Sequence, residues 1–407
     1  MATTSNNIPQ GYKATALGII PQEWEVKFLG DLLSRCANGL TYDVSITSGI
    51  PVTRIETIST GEINYAKVGY IPNESGYETF RMQKGDILYS HINSLSQIGK
   101  VAYYKGDKEI YHGMNLLLLR ANKSLDKQYL YYTLLTDHMR HMAQVIAKPA
   151  VNQASISTSD LKRVKIAVPP LGEQRKIAEV LGVWDEAIEK QARLIEKLAL
   201  RKRALMQRLL SAKLRLPGFS EPWKIHKLQE LFTERNETNR TDLPLLSITG
   251  DRGVILQTES EKRDTSNDDK SKYKRIAKGD IGYNTMRMWQ GRSALSGLEG
   301  IVSPAYTIVV PNTDVDGYYM SVLFKQPRLI YDFWTHSQGL VGDTLNCKYR
   351  DFGQVHICCP PLAEQKAITE VLTAADREIE LAKEKLERLR RQKRGLMQQL
   401  LTGKKRI

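Results

Sequence analysis

The sequence predicts an α+β protein: two globular α/β domains separated by a long antiparallel two-helix coiled coil, built as a pseudo-twofold internal repeat. Three observations predict it. A 45-residue segment occurs twice, a heptad pattern runs through both copies, and matching landmarks precede each copy. The first copy, from Pro169 to Lys213, reads PPLGEQRKIAEVLGVWDEAIEKQARLIEKLALRKRALMQRLLSAK, and the second, from Pro360 to Lys404, reads PPLAEQKAITEVLTAADREIELAKEKLERLRRQKRGLMQQLLTGK. The offset is 191 throughout and 22 of 45 positions are identical.

The repeated segment is the helical part. Ile177, Leu181, Trp184, Ile188, Gln191, Ile195, Leu198, Lys202, Leu205 and Leu209 step alternately by four and three. Ile368, Leu372, Ala375, Ile379, Ala382, Leu386, Leu389, Lys393, Leu396 and Leu400 repeat the register. An a/d seam sustained over four heptads is the signature of a coiled coil. About 40 residues at 1.5 Å each span roughly 60 Å. Pro170 and Pro361 stand where a helix begins and break what precedes it. Pro217 and Gly218 are stop signals that place the first helix end near Lys213. Lys202 and Lys393 occupy the same seam step, where a lysine either specifies register or carries its charge out to the edge. The copies pair within the chain, and the simplest connection is antiparallel, because a globular domain runs from the end of helix one to the start of helix two.

The segments before each helix are mixed α and β and share a frame. Trp24 with Leu29 matches Trp223 with Leu228. A K-G-D-I turn enters a strand at Lys84–Ile87 and again at Lys278–Ile281. An apolar strand follows around Leu117 and Ile308, then a tyrosine-rich helix from Tyr129 and Tyr318. VKIAVPP and VHICCPP close each domain. The resulting division is residues 1–168, first globular domain; 169–213, central helix; 214–359, second globular domain; 360–407, C-terminal helix. Between landmarks the halves diverge, as two domains of one fold with two different ligands would. Gly282 stands where the first domain has Leu88, so the segment after it is expected to run differently.

Composition narrows the partners. The net charge of +14 favours a polyanion, nucleic acid before a membrane surface. No apolar run approaches the roughly 20 residues of a membrane span, and MATTSNNIPQGYK is not a signal peptide. A cytoplasmic protein is expected. Cys36, Cys347, Cys358 and Cys359 form no C-x-x-C pair and read as free thiols in a reducing compartment. His138 and His141 share a helix face without accompanying Cys or carboxylate ligands, so no metal site is expected.

The motifs of catalysis are missing. There is no glycine-rich cofactor loop with an Asn/Asp-Pro-Pro-aromatic turn, no P-loop, no H-E-x-x-H and no G-x-S-x-G. Asp86 and Asp280 follow glycine in turns, where a carboxylate accepts backbone N–H bonds. A binding protein is the expectation. Its rivals are a coiled-coil scaffold without DNA readout, which a shallow salt dependence on random duplex would reveal, and a self-sufficient modifying enzyme, which labelled S-adenosylmethionine would expose.

PPL-x-EQ before a long helix, repeated half a chain later, resembles the specificity subunits of type I restriction–modification systems. The Ile-Pro-x-x-Trp opening at Ile20–Trp24 and the K-G-D-I turns are similar to their target-recognition domains, and the likeness covers nearly the whole chain. The resemblance implies a non-catalytic subunit whose two recognition domains each read one half of a bipartite, asymmetric site on double-stranded DNA. It implies helices that set the spacer and dock two modification subunits, with restriction subunits completing the assembly. No cofactor is expected on this chain; S-adenosylmethionine and ATP with Mg would sit on the partner subunits. One heptad, about 10 Å, corresponds to roughly three base pairs. Outward helix positions such as Arg193 and Arg390 are candidate contacts to the modification subunits.

Base readout needs Arg, Lys, Asn and Gln side chains that match donors and acceptors on base edges. In the first domain the candidates are His91, Asn93, Ser94, Gln97 and Lys100 after the K-G-D-I strand, with Lys148, Asn152 and Gln153 before the double proline. In the second they are Asn284, Arg287, Trp289, Gln290 and Arg292, with Gln338 and Asn346 later. Trp289 reads as a DNA wedge or as core. Arg54 and Arg252 are weaker candidates for phosphate contacts.

Overall fold

The computed structural model describes residues 8–150, 153–250, 252–260, 268–339 and 344–407. It divides into two compact units, residues 1–192 with 384–407 and residues 193–383. The division by secondary structure at 168, 213 and 359 differs from this one, because each compact unit takes half of each long helix.

The first unit is built on a four-stranded antiparallel sheet in the order Leu33–Asn38, Leu117–Ala121, Ile87–Tyr89, Val101–Tyr103. Its central strand is apolar at successive positions because both faces are covered. Leu117 and Leu119 join Ile87 and Tyr89 in the main core, which Trp24, Tyr129 and Ile177 share. Leu116 and Leu118 join Leu88 and Ala102 in a second core on the other face.

The second unit repeats the order as Phe232–Glu234, Tyr306–Pro311, Ile281–Asn284, Ser293–Leu295. The strand that holds Gly282 keeps both neighbours, while the segment after it does run differently: a 3-10 turn, Met288–Gln290, stands where the first domain has the strand Ile92–Asn93. A Cβ on Gly282 would lie 2.4 Å from Ile248 Cδ1. The second core of this unit has moved an isoleucine into the space that a leucine side chain fills in the first.

The K-G-D-I turns work alike in both units. Gly85 and Gly279 sit at φ 98° and 95°, a region open to glycine. Asp86 accepts the Gln83 N–H at 2.7 Å and a bidentate pair from Arg120 at 2.7 and 2.8 Å. Asp280 accepts the Ala277 N–H at 2.8 Å and two bonds from Arg235. Arg120 lies in the strand Leu117–Ala121 and Arg235 just past the strand Phe232–Glu234, so the buried carboxylate is satisfied by different routes.

The repeated segments form helices Leu171–Leu209 and Leu362–Leu400. The first ends earlier than Pro217 suggests. Ala212 adopts φ 57° and Leu214 N–H bonds the Arg208 carbonyl at 3.0 Å, a left-handed C-terminal cap. Gly403 takes the same position in the second copy at φ 70°. Every a and d position of the seam is buried or half-buried in both helices.

Ion pairs across the seam give its direction. In the first unit Lys393 reaches Asp185 at 2.5 Å; in the second Lys202 reaches Asp376 at 2.5 Å and Arg201 pairs with Glu378. Rising numbers on one helix meet falling numbers on the other, so the helices run antiparallel within each unit. Each aspartate also accepts a tyrosine hydroxyl from its globular domain, Tyr132 or Tyr318, at 2.7 Å. The seam lysines therefore specify register. Lys393 is 11% exposed and lies over the Tyr132 ring.

The Glu-Gln of each repeat has a structural task. Glu173 accepts Trp24 Nε1 at 3.1 Å and a bidentate pair from Arg406. Glu364 does the same for Trp223 and Arg215. Gln174 accepts the Asp126 N–H and donates to the Pro169 carbonyl; Gln365 does so for Asp316 and Pro360. All four side chains are buried. The basic C-terminus thus supplies Arg406 as the counterpart of Arg215.

Removing Asp185 strands a nearly buried ammonium group. Asp185→Ala is expected to cost roughly 2 kcal/mol, and adding Lys393→Met should recover most of it, as read from urea unfolding of both variants.

Candidate nucleic-acid interface

In the first unit the loop after Ile87–Tyr89 is closed by Ser90 N–H to the Lys100 carbonyl and Gly99 N–H to the Ser90 carbonyl, both 2.8 Å. Ile92–Asn93 then pairs with Gln153–Ser155, which pairs with Lys148–Ala150. The structure thus gathers both candidate segments of this domain into one three-stranded sheet. Gly99 explains how the loop lies so close to the helix Asp137–Ile146: at φ 78°, a Cβ would meet the Ala143 Cβ at 2.6 Å.

The second unit repeats the device. Asn284 N–H bonds the Arg292 carbonyl at 3.0 Å, closing a loop two residues shorter than the first. Gly291, at φ 70°, lies against Ile330 of the helix Pro327–His336. Gln338 and Asn346 exchange backbone bonds at 2.9 and 2.8 Å, and Cys347 N–H reaches the Thr285 carbonyl at 2.8 Å. The loop and the Gln338–Asn346 bridge lie side by side.

The individual side chains divide by exposure. Ser94, Lys148, Gln153, Arg287, Gln290, Arg292 and Gln338 are exposed, while Asn93, Gln97, Lys100, Asn284, Trp289 and Asn346 are half-buried. His91 is 6% exposed and lies beneath the loop. Lys100 Nζ donates to the Ser59 carbonyl at 2.7 Å, Asn93 Nδ2 to Ser90 Oγ, and Trp289 Nε1 to the Met286 carbonyl. Lys148 pairs with Asp160 at 3.4 Å. Asn152 lies outside the described residues. Arg54 pairs with Glu56 at 3.5 Å, and Arg252 is exposed.

Two features escaped the sequence reading. Leu95 and Met286 stand 54% and 48% exposed on the two loops. Tyr331 and Trp334, 60% and 47% exposed, face each other at 5.5 Å on the helix beside the second loop. Their three-residue spacing on the helix was the available signal. Among the described residues no group of His, Cys, Asp or Glu could hold a metal, and no helix is long and apolar enough to cross a membrane.

The profile of the type I restriction modification DNA specificity domain matches residues 21–199. A Methanocaldococcus jannaschii chain assigned as the MjaX type I restriction enzyme specificity subunit is 34% identical over 98% of this chain and 97% of its own length. The chain belongs to the type I restriction enzyme specificity subunit family. The MjaVIII specificity subunit of the same organism is 23% identical over 95% of this chain and 94% of its own. Among solved structures, the HsdS subunit from Thermoanaerobacter tengcongensis superposes with TM-score 0.51 at 16% identity, covering 94% of this chain and 98% of that one. The S subunit from M. genitalium gives 0.53 at 16% identity, covering 98% of each. These likenesses show the shared specificity-subunit fold.

The first recognition unit carries a pH liability that the second lacks. Burial pulls the pKa of His91 and His112 down to about 4, while His226, His336 and His356 of the second unit are not buried. The unfolded chain takes up these protons near pH 6.5. Stability is therefore kept above pH 6.5 and lost as pH falls toward 4, on the order of 2 kcal/mol per histidine at pH 5. Urea unfolding at pH 7 and 5 should show this loss, and His91→Gln with His112→Gln should shrink it.

Proposed function

We propose that this specificity subunit directs a type I restriction–modification complex to a bipartite, asymmetric DNA site. Each recognition domain reads one half-site and the paired helices set the gap. The observation that carries this reading is one frame with two surfaces. Both domains hold a loop against a helix through a glycine and brace it with backbone-bonded segments, Lys148–Ala150 with Gln153–Ser155 in one and the Gln338–Asn346 bridge in the other. At these matched places they present Asn93, Ser94, Gln97, Lys100, Lys148 and Gln153 in one unit, and Asn284, Arg287, Gln290, Arg292, Gln338 and Asn346 in the other. A repeated frame with different donors and acceptors suits two different half-sites.

The chain itself is non-catalytic in this reading. Two modification subunits bring S-adenosylmethionine, and restriction subunits supply ATP- and Mg-dependent steps. The net charge of +14 supports contact with the phosphate backbone. His91, buried and neutral, shapes its loop from below. Trp289, half-buried, supports the loop that carries Arg287 and Arg292.

The test is co-expression with a modification subunit in a host without other adenine methylation, followed by sequencing for modified adenine. A motif with two defined halves and a fixed gap is expected; a single continuous site or no methylation would contradict the reading. In the same assay Arg287→Ala or Arg292→Ala should relax one half only, by about 1–3 kcal/mol of discrimination per lost base contact.

A further inference from the structure

The helix behind each candidate DNA loop carries the same buried face and a different exposed one. Asp137–Ile146 and Pro327–His336 are both 10 residues long, and bury Met139 and Ala143 in one unit, Leu329 and Phe333 in the other. At the matching exposed steps the first helix has His141 and Gln144, and the second has Tyr331 and Trp334. The aromatic pair stands 60% and 47% exposed, with ring centroids 5.5 Å apart and planes tilted by 39° rather than stacked flat on one another. Trp24, Trp223 and Trp289 donate their Nε1 groups within the protein; Trp334 donates to no described residue.

The fold holds this pair at the edge of the second loop. Ile330, one turn before Trp334 on the same face, meets Gly291 of the loop, where a Cβ would lie 2.9 Å from Ile330 Cδ1. Gln338, one turn after Trp334, is bonded to Asn346, and the next N–H, of Cys347, reaches the loop at the Thr285 carbonyl at 2.8 Å. Met286 adds a further exposed apolar side chain on the loop. The charge beside the patch is positive: from Ile281 to Leu298 the chain holds Arg287 and Arg292, both exposed, and no carboxylate. Arg328 and Asp332 turn to the other flank of the helix, where they line a cavity with Leu210 and Ile357. Open aromatic faces beside cations without carboxylates fit a ligand that has both π-faces and phosphates, which is DNA rather than a protein surface.

Methylation of an adenine needs that base outside the stack, and leaving the stack costs stacking and pairing energy. A side chain that fills the opened step lowers the cost. We propose that Tyr331 and Trp334 enter the duplex at one base step of the half-site read by the second unit, stack on the bases there and help to hold the target adenine out. The first unit, with His141 and Gln144, has no such wedge, so the two half-sites open differently. The proposal rests on the reading given under Proposed function, and it makes the pair positioning residues for a reaction carried out on the modification subunit.

The full chain is assembled with modification subunits on its mapped motif, without S-adenosylmethionine. 2-Aminopurine, which brightens when unstacked, replaces each adenine of both half-sites in turn. Trp334→Ala with Tyr331→Ala is expected to lower the signal roughly fivefold or more in the half-site of the second unit, and to leave the other half-site unchanged. Trp334→Leu, which keeps apolar bulk without a stacking face, should lose most of the signal, and Trp334→Phe should keep most of it. With S-adenosylmethionine added, the double variant should methylate that half-site about tenfold more slowly. A mismatch opposite its adenine, already cheap to unstack, should restore the rate. Fluorescence unchanged by the double variant, or an equal fall in both half-sites, would overturn the proposal while leaving the parent reading intact. Loss of modification subunits from the double variant in native mass spectrometry, or loss of a species of two specificity chains, would overturn it in favour of a protein contact. An unaltered chain that yields no bipartite motif would overturn both.

Discussion

Each unit is organised around a carboxylate that joins three parts of the chain. Asp185 on the first helix receives Tyr132 from its globular domain and Lys393 from the second helix; Asp376 on the second helix receives Tyr318 and Lys202. A lysine in an apolar seam is costly unless paired, so the register that brings these groups together is favoured over any slipped one. The same contact orients the globular domain, because the tyrosine belongs to the domain's own helix. The buried Glu-Gln pair at the helix start adds a second attachment through Trp24 or Trp223. With two fixed points on one helix, the domain cannot pivot freely about its axis.

That anchoring frees the loops to vary. The central sheet is buried on both faces, which leaves little tolerance in its strands, as the Leu88 and Gly282 exchange shows. The candidate DNA loops are held by backbone bonds, by one glycine against a helix and by a few side-chain bonds from Asn93, Lys100 and Trp289, which leaves their exposed side chains without a structural task. Arg287, Gln290 and Arg292 could change without disturbing Met288, which anchors the same loop in the core at 0% exposure. The fold thus separates what must stay constant from what can specify a ligand.

Much of this was legible in the sequence because it is periodic or local. Heptad steps reported the seam at every position, and proline, glycine and tyrosine landmarks placed the shared strands and helices. What stayed hidden depends on partners far along the chain. Nothing near Lys393 points to Asp185, and nothing in the tail distinguishes Arg406, which pairs with Glu173, from a solvated charge. The helix end was misplaced for a related reason: a left-handed alanine at 212 stops it without a glycine or proline to announce it. Burial of His91 could not be seen because a polar residue beside a loop reads as surface until the loop's packing is known.

The most direct measurement removes one paired heptad from the helices. Residues 186–192 and 386–392 face each other under the antiparallel register, and their joint deletion keeps both Tyr–Asp–Lys contacts and the heptad phase. The shortened chain is expressed with a modification subunit and its methylated motif is sequenced beside that of the unaltered chain. The expected result is two unchanged half-sites with a gap shorter by about three base pairs, since seven residues span roughly 10 Å. An unchanged gap would contradict the claim that the helices set the spacing.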